Sequence, residues 1–168
     1  MRIIGIDPGT ICCGYGIVET GGKKGSPANN PVYVTAGDIK LNRKAPLSER
    51  LKKLFDSLKS IIDENRPEQL CLEKIFYHKS IRSAFALGSV RGIVLLLAGE
   101  NNIPVFEYNP TELKMALTGY GRAEKRQVKE MVKIILNLKP SKIPLSEDAT
   151  DALALCICHV NSSGLKIQ

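Results

Sequence analysis

Arg2-Ile3-Ile4-Gly5-Ile6-Asp7-Pro8-Gly9-Thr10 decides how this chain is read. The run from Ile3 to Ile6 is apolar and, Gly5 apart, β-branched, as in a strand buried on both faces, and Pro8-Gly9 turns the chain at once. A carboxylate therefore stands at the tip of a core strand. Side chains alternate along a strand, so Asp7 shares a face with Ile3 and Gly5, and the missing side chain at Gly5 leaves room beside the acid for a metal ion or a phosphate. The local alternative is an Asp-Pro-Gly turn in which Asp7 bonds to its own backbone.

Beyond this strand, Cys12 to Val18 and Val32 to Ile39 predict two more strands of a meander, with Gly21 to Pro31 as a loop. Leu47, Leu51, Leu54, Leu58, Ile61 and Ile62 recur at three- and four-residue spacing, predicting a helix from Pro46 to Asn65 that stops before Pro67. Gln69 to Glu73 is a fourth, buried strand that also ends on an acid. Ile81 to Ala98 predicts a helix so apolar that it needs cover on most of its surface, from its own core or from a second subunit. Val105 to Tyr108 is a fifth strand, followed by helices over Thr111 to Leu117, Glu124 to Leu138 and Ser146 to His159. The order predicts an α/β domain with a mixed sheet, and 168 residues fit one domain.

A hydrophobic fraction of 43% excludes a disordered chain. There is no unbroken apolar run of about 18 residues and no signal-peptide pattern, so the expectation is a cytosolic protein without a membrane span. Cys12 and Cys13 are adjacent, Cys71 lies in an apolar run, and Cys156 and Cys158 flank Ile157, which is not zinc-site spacing. They read as reduced, buried small hydrophobes.

The net charge of +7 points to a polyanionic partner. Its distribution says more than its sum. Lys74, Lys79, Arg82 and Arg91 fall in a stretch without Asp or Glu. Between Asn109 and Leu145, Lys114, Arg122, Lys125, Arg126, Lys129, Lys133, Lys139 and Lys142 outnumber Glu112, Glu124 and Glu130.

Against this basic background stand the acids. Asp7 and Glu73 both close strands, and ligands of open α/β sheets gather outside strand ends. The last helix adds Glu147, Asp148 and Asp151, with Asp148 and Asp151 three apart on one face. Acids in a first helical turn also favour the dipole, with Ser146 as cap, but Asp151 lies a turn further in among Ala and Leu. If these acids converge, two of them about 4 Å apart repel by roughly 4 kcal/mol at an effective dielectric of 20. Protons or cations must compensate. Oxygen ligands without His or Cys suit Mg²⁺ or Mn²⁺, and two such ions can activate a water and stabilise the leaving oxygen of a phosphodiester.

Ile4-Gly5-Ile6-Asp7-Pro8-Gly9-Thr10 with Gly14-Tyr15-Gly16, Leu72-Glu73-Lys74-Ile75-Phe76, Pro104-Val105-Phe106-Glu107-Tyr108, Ala123-Glu124-Lys125 with Gln127-Val128, and Asp148-Ala149-Thr150-Asp151-Ala152-Leu153-Ala154 together resemble the bacterial RuvC Holliday-junction resolvases. The resemblance implies an RNase H-like fold with a five-stranded mixed sheet, a homodimer, and Mg²⁺-dependent paired nicking at a four-way DNA junction. Mn²⁺ is a substitute, with two ions per site. It further implies a branch-migration complex of the RuvA and RuvB type as partner. By position, Asp7, Glu73, Asp148 and Asp151 fall on the family's metal-binding and catalytic acids. Lys114 and Lys125 match its phosphate-binding lysines, and Phe76 matches its base-contacting aromatic, a role that stacking makes plausible. Lys79 and Arg82 are further expected DNA contacts. Ser80 and Arg126 depart from the family's usual residues. His78 and His159, lacking metal-ligand spacing, are expected on the surface or in the core.

Asp7-Pro8-Gly9-Thr10 also resembles the phosphate-binding turn of actin-like ATPases and sugar kinases. Those clamp nucleotide between two domains, and a chain of this length is not expected to hold a second. A junction-binding module with purely structural acids is the non-enzymatic alternative.

Overall fold

The computed structural model describes residues 1–21, 30–74, 81–138 and 145–163. Its strands β1 (Arg2–Asp7), β2 (Cys12–Glu19), β3 (Val32–Lys40), β4 (Gln69–Glu73) and β5 (Val105–Tyr108) form one sheet in the order β3-β2-β1-β4-β5. The first three strands pair antiparallel, β4 pairs parallel to β1, and β5 pairs parallel to β4. The mixed α/β sheet expected from the sequence is thus observed. The helices are α1 (Leu47–Asn65), α2 (Ile81–Glu100), α3 (Pro110–Thr118), α4 (Lys125–Ile135) and α5 (Glu147–Ser163).

Strand alternation divides the interior in two. Ile4, Ile6, Ile17, Leu70 and Leu72 point to one side, where they bury Leu54, Leu58 and Ile62 of α1 and Val90, Val94 and Leu97 of α2. Ile3, Val18 and Cys71 point to the other, against Leu153, Ala154 and Ile157 of α5, with Leu117 of α3 and Val128 and Val132 of α4. Each fully buried Leu or Ile contributes about 1.5–3 kcal/mol, so neither layer is dispensable.

Asp7 and Glu73 lie on the α5 side, and three glycines on that side determine how close α5 comes. A Cβ at Gly5 would lie 2.0 Å from the Ala152 carbonyl oxygen, one at Gly14 2.2 Å from that of Asp148, and one at Gly16 2.7 Å from Leu153 Cγ. The helix backbone therefore rests directly on the sheet. This corrects the expectation drawn from Gly5: the room beside Asp7 is occupied by α5, not open to a ligand. The chemistry is displaced to the strand tip, and the glycines serve to lower Asp148 and Asp151 to its level.

Helix α2 is, by length and composition alone, apolar enough to cross a bilayer. It carries Arg91 at its middle and packs Val90, Val94, Leu97 and Ala98 into the α1-side core. Its outer face stays exposed: Ile81 and Phe85 are 76% and 75% exposed, and Leu95 and Leu96 are also exposed. Of the two sources of cover considered for this helix, its own core is therefore insufficient.

Candidate active site

The sheet register builds the site. Asp7 pairs with Gly14, Gly14 pairs with Asp38, and Ile6 pairs with Leu72, so Glu73 follows one step beyond on the neighbouring strand. With no side chain at Gly14, the carboxylates of Asp38 and Asp7 flank the spot where Asp148 of α5 descends. Ser146 caps that helix. Its hydroxyl accepts from Ala149 N at 3.0 Å and donates to Asp38 Oδ1 at 2.5 Å, tying the helix start to β3.

Asp7, Glu73 and Asp151 line one pocket together with Lys114 and Lys125, and Pro110, Leu113, Val128 and Leu155 form its apolar wall. The first turn of α3 is set by a reciprocal cap: Glu112 N donates to Asn109 Oδ1 and Asn109 N donates to Glu112 Oε2, both at 2.8 Å. That cap orients the helix carrying Lys114. The α4 start is held by Glu124 N donating to Gln127 Oε1 at 2.8 Å, which places Lys125 at the pocket. Lys125 Nζ stands 3.6 Å from Asp151 Oδ2; both side chains are solvent-accessible, so the pair itself adds little stability.

The fourth acid is turned differently. Asp148 groups with Cys12 and Asp38, their ligand atoms all within 4.8 Å of one another. Burial, a hydrogen bond to Asp148 and the charges of Asp148 and Asp38 push the Cys12 thiol up to about 12, so it is a neutral donor to Asp148, not a thiolate. Asp148 still acts on Asp7 across the site. Burial, then Asp151, Glu73 and Asp148 in turn, raise the Asp7 carboxyl from 3.8 to about 7, and Lys125 only partly opposes this. Glu73 is raised by burial and then Asp151; Asp151 is raised chiefly by burial, against Lys125.

The donor set is hard oxygen with a surplus of negative charge that one lysine does not neutralise. It fits divalent cations. A prediction follows for the metal-free protein. Asp7 titrates near 7 when folded and near 3.8 when unfolded, so between those values the folded state binds more protons and stability falls as pH rises. Glu73 and Asp151 have the same sign; Glu130 is lowered, but its titration lies on the acid side of the window. In chelator, the thermal midpoint should fall by several degrees from pH 5 to pH 8, and divalent metal should remove most of that slope. A midpoint that rises with pH in chelator would contradict the crowding of these acids.

Other expected contacts fare variously. Arg82 is exposed in the first turn of α2 and does not line this pocket. Phe76 and Lys79 lie outside the described residues. Arg91, the last cation of the acid-free stretch that begins at Lys74, has a side chain only 13% exposed, pairs with Glu107 of β5 and donates to the Glu73 carbonyl at 3.2 Å. It is a brace behind the end of β4. His159 is core: buried, it bonds Tyr108 Oη through Nδ1 at 2.5 Å and Gln69 Oε1 through Nε2 at 2.7 Å. The cysteines are free, and all but Cys12 are buried. Asp38 and Cys12 were not singled out as site residues from sequence. The one signal for them was position, a third strand placing an acid level with Asp7, and that depends on register.

Comparison with known proteins agrees with this geometry. Residues 3–159 match the family model described as crossover junction endodeoxyribonuclease RuvC. The chain is 43% identical over 159 residues to the protein of that name from Pseudothermotoga lettingae, covering 95% of this chain and 93% of the relative. It is 44% identical over 163 residues to that from Desulforamulus reducens, covering 97% and 95%. Among solved structures, T. thermophilus RuvC in complex with a Holliday junction substrate superposes with a TM-score of 0.88 at 31% identity, covering 98% of this chain and 96% of that one.

Proposed function

The chain belongs to the RuvC family of crossover junction endodeoxyribonucleases, and from that premise we propose how its residues carry out the resolution of Holliday junctions. It is a DNA-cleaving hydrolase of that family, dependent on divalent metal, whose substrate is junction DNA. The observation that carries the residue assignment is the joint elevation of Asp7, Glu73 and Asp151 in one pocket, a crowding of carboxylates that a cation relieves.

Asp7, Glu73, Asp148 and Asp151 would hold Mg²⁺, two ions per site, with Mn²⁺ able to replace it. When bound, the ions supply an activated water and neutralise charge building on the phosphodiester. The protein's own share is positional. Asp7, at the centre, faces acids from β4 and α5, so strand tip and helix turn set the ion positions relative to each other. Lys114 and Lys125, which line the same pocket, would hold the phosphate that is to be cut, fixing it over the acids. The apolar wall of Leu113, Val128 and Leu155 keeps bulk water from the far side.

Two copies of the chain would cut opposite strands. The exposed apolar face of α2, with Ile81, Phe85, Leu95 and Leu96, supports a homodimer built there; a sedimentation mass equal to one chain would count against it. Phe76, Lys79 and Arg82, near the start of the same helix in sequence, would then reach the crossover, and the branch-migration partners typical of the family would approach the same DNA. A nicking assay on a synthetic four-way junction tests the whole reading. Symmetrical nicks are expected with Mg²⁺ and none with chelator; equal cutting of linear duplex would overturn junction selectivity.

A further inference from the structure

A second groove opens beside the acid pocket, lined by Lys125, Arg126 and Lys129 of α4 and by Glu147, Thr150 and Asp151 of α5. Lys125 and Asp151 border both cavities, so the groove runs directly on from the place where the cleaved phosphate would sit. The rotation of α4 is fixed by Val128, Val132 and Leu136, which are buried in the α5-side core. That leaves Lys125, Arg126 and Lys129 outward and adjacent, since residues three and four apart are neighbours on a helix surface.

Lys125 faces Asp151 at 3.6 Å, while the other two cations are not so paired. Among the described residues neither Arg126 nor Lys129 forms an ion pair, whereas Lys133 on the same helix is held by Glu130. Thr150 is occupied, its hydroxyl donating to the Ser146 carbonyl at 2.6 Å. What the groove offers outward is therefore positive charge spaced along one helical turn, opposed by Glu147 and, beside Lys125, by Asp151. A single small anion needs one such cation; a row that begins at a phosphate-handling lysine suits a chain of phosphates.

We propose that this groove carries the sugar-phosphate backbone of the DNA strand as it runs on from the cleaved phosphate, with Arg126 and Lys129 each contacting one phosphate and Glu147 weakening the grip. The inference rests on the nuclease reading and extends it to residues that the acid pocket does not include. Phosphate contacts position a strand without reading its sequence, so the effect should be the same for junctions of different sequence.

The test measures junction affinity in chelator, where cleavage is not expected, across a salt series for the wild type, the R126Q/K129Q double variant and E147Q. Each phosphate contact contributes about −0.9 to the slope of log affinity against log salt. The double variant should therefore lose about 1.8 of slope, and its affinity should fall about twelvefold less than that of the wild type between 50 and 200 mM salt. E147Q should bind more tightly than the wild type. A double variant with the wild-type slope, or E147Q with unchanged affinity, would overturn the proposal. The nuclease reading is judged separately: a wild type that nicks the junction with Mg²⁺ while the salt slopes coincide refutes the groove alone, and a wild type that does not nick refutes the reading beneath it.

Discussion

Asp7→Asn is expected to reduce junction cleavage by at least a factor of about 100, since even loss of an outer partner of a metal ligand costs 10- to 100-fold. The substitution keeps the shape of the side chain and removes one charge from the position that Asp151, Glu73 and Asp148 all face. Ion affinity should drop with it. Junction binding should stay close to wild type, because Asp7 lies among the acids and the phosphate grip is the role proposed for Lys114 and Lys125. The metal-free variant should also be more stable than the wild type at pH 8, where the wild type carries the unrelieved charge. Parallel measurements of cleavage, junction affinity and thermal midpoint separate the cases. If cleavage survives, Asp7 is not a ligand; if binding collapses with cleavage, its role is not confined to catalysis.

Gly14→Ala tests the packing that brings helix and sheet together. An added Cβ would lie 2.2 Å from the Asp148 carbonyl oxygen and 2.9 Å from Ala149 N, both backbone atoms of α5 that no rotamer change can move. The start of the helix must be pushed off the sheet by about an ångström, and misplacement of that size near a site costs about 100-fold in rate. Overpacking of this kind also costs about 1–3 kcal/mol of stability. Gly99→Ala is the control, because a Cβ there meets nothing within 4 Å. The expected result is a folded Gly14→Ala protein with strongly reduced cleavage beside a control that behaves as wild type. Full activity in Gly14→Ala would mean that α5 need not rest on β2.

The meeting of Asp7, Glu73 and Asp151 was legible because it depends on strand tips and helical spacing, both of which are periodic signals. Gly5 was read as a vacancy for the opposite reason. A missing side chain announces close approach without naming what approaches, and here it is the Ala152 carbonyl. Asp38 escaped notice because its link to Asp7 runs through two strand pairings, and the β2–β3 register carries an irregularity between Ile17 and Val18 that no alternation pattern reveals. Arg91 was legible as a cation but not as a brace, since its partners, Glu107 and the Glu73 carbonyl, come from two different strands. Helix α4 stops at Ile135 rather than Leu138 because Asn137 turns left-handed at φ 50°, a conformation asparagine tolerates. The exposed face of α2 was visible as excess hydrophobicity, but its surroundings depend on tertiary packing.

Helix α5 supplies the helical half of the pocket and the cover for the inner face of β1, and it is synthesised after every strand of the sheet. From Glu73 to Asp151 the ribosome must add 78 residues, which takes about 4 to 16 seconds at 5–20 residues per second. During that interval Asp7 and Glu73 exist without their helical partners, and the glycine face of the sheet has nothing resting on it. The nascent chain thus holds only the strand half of the acid pocket while it is being made, and the cutting proposed for these acids would have to wait until the closing helix docks.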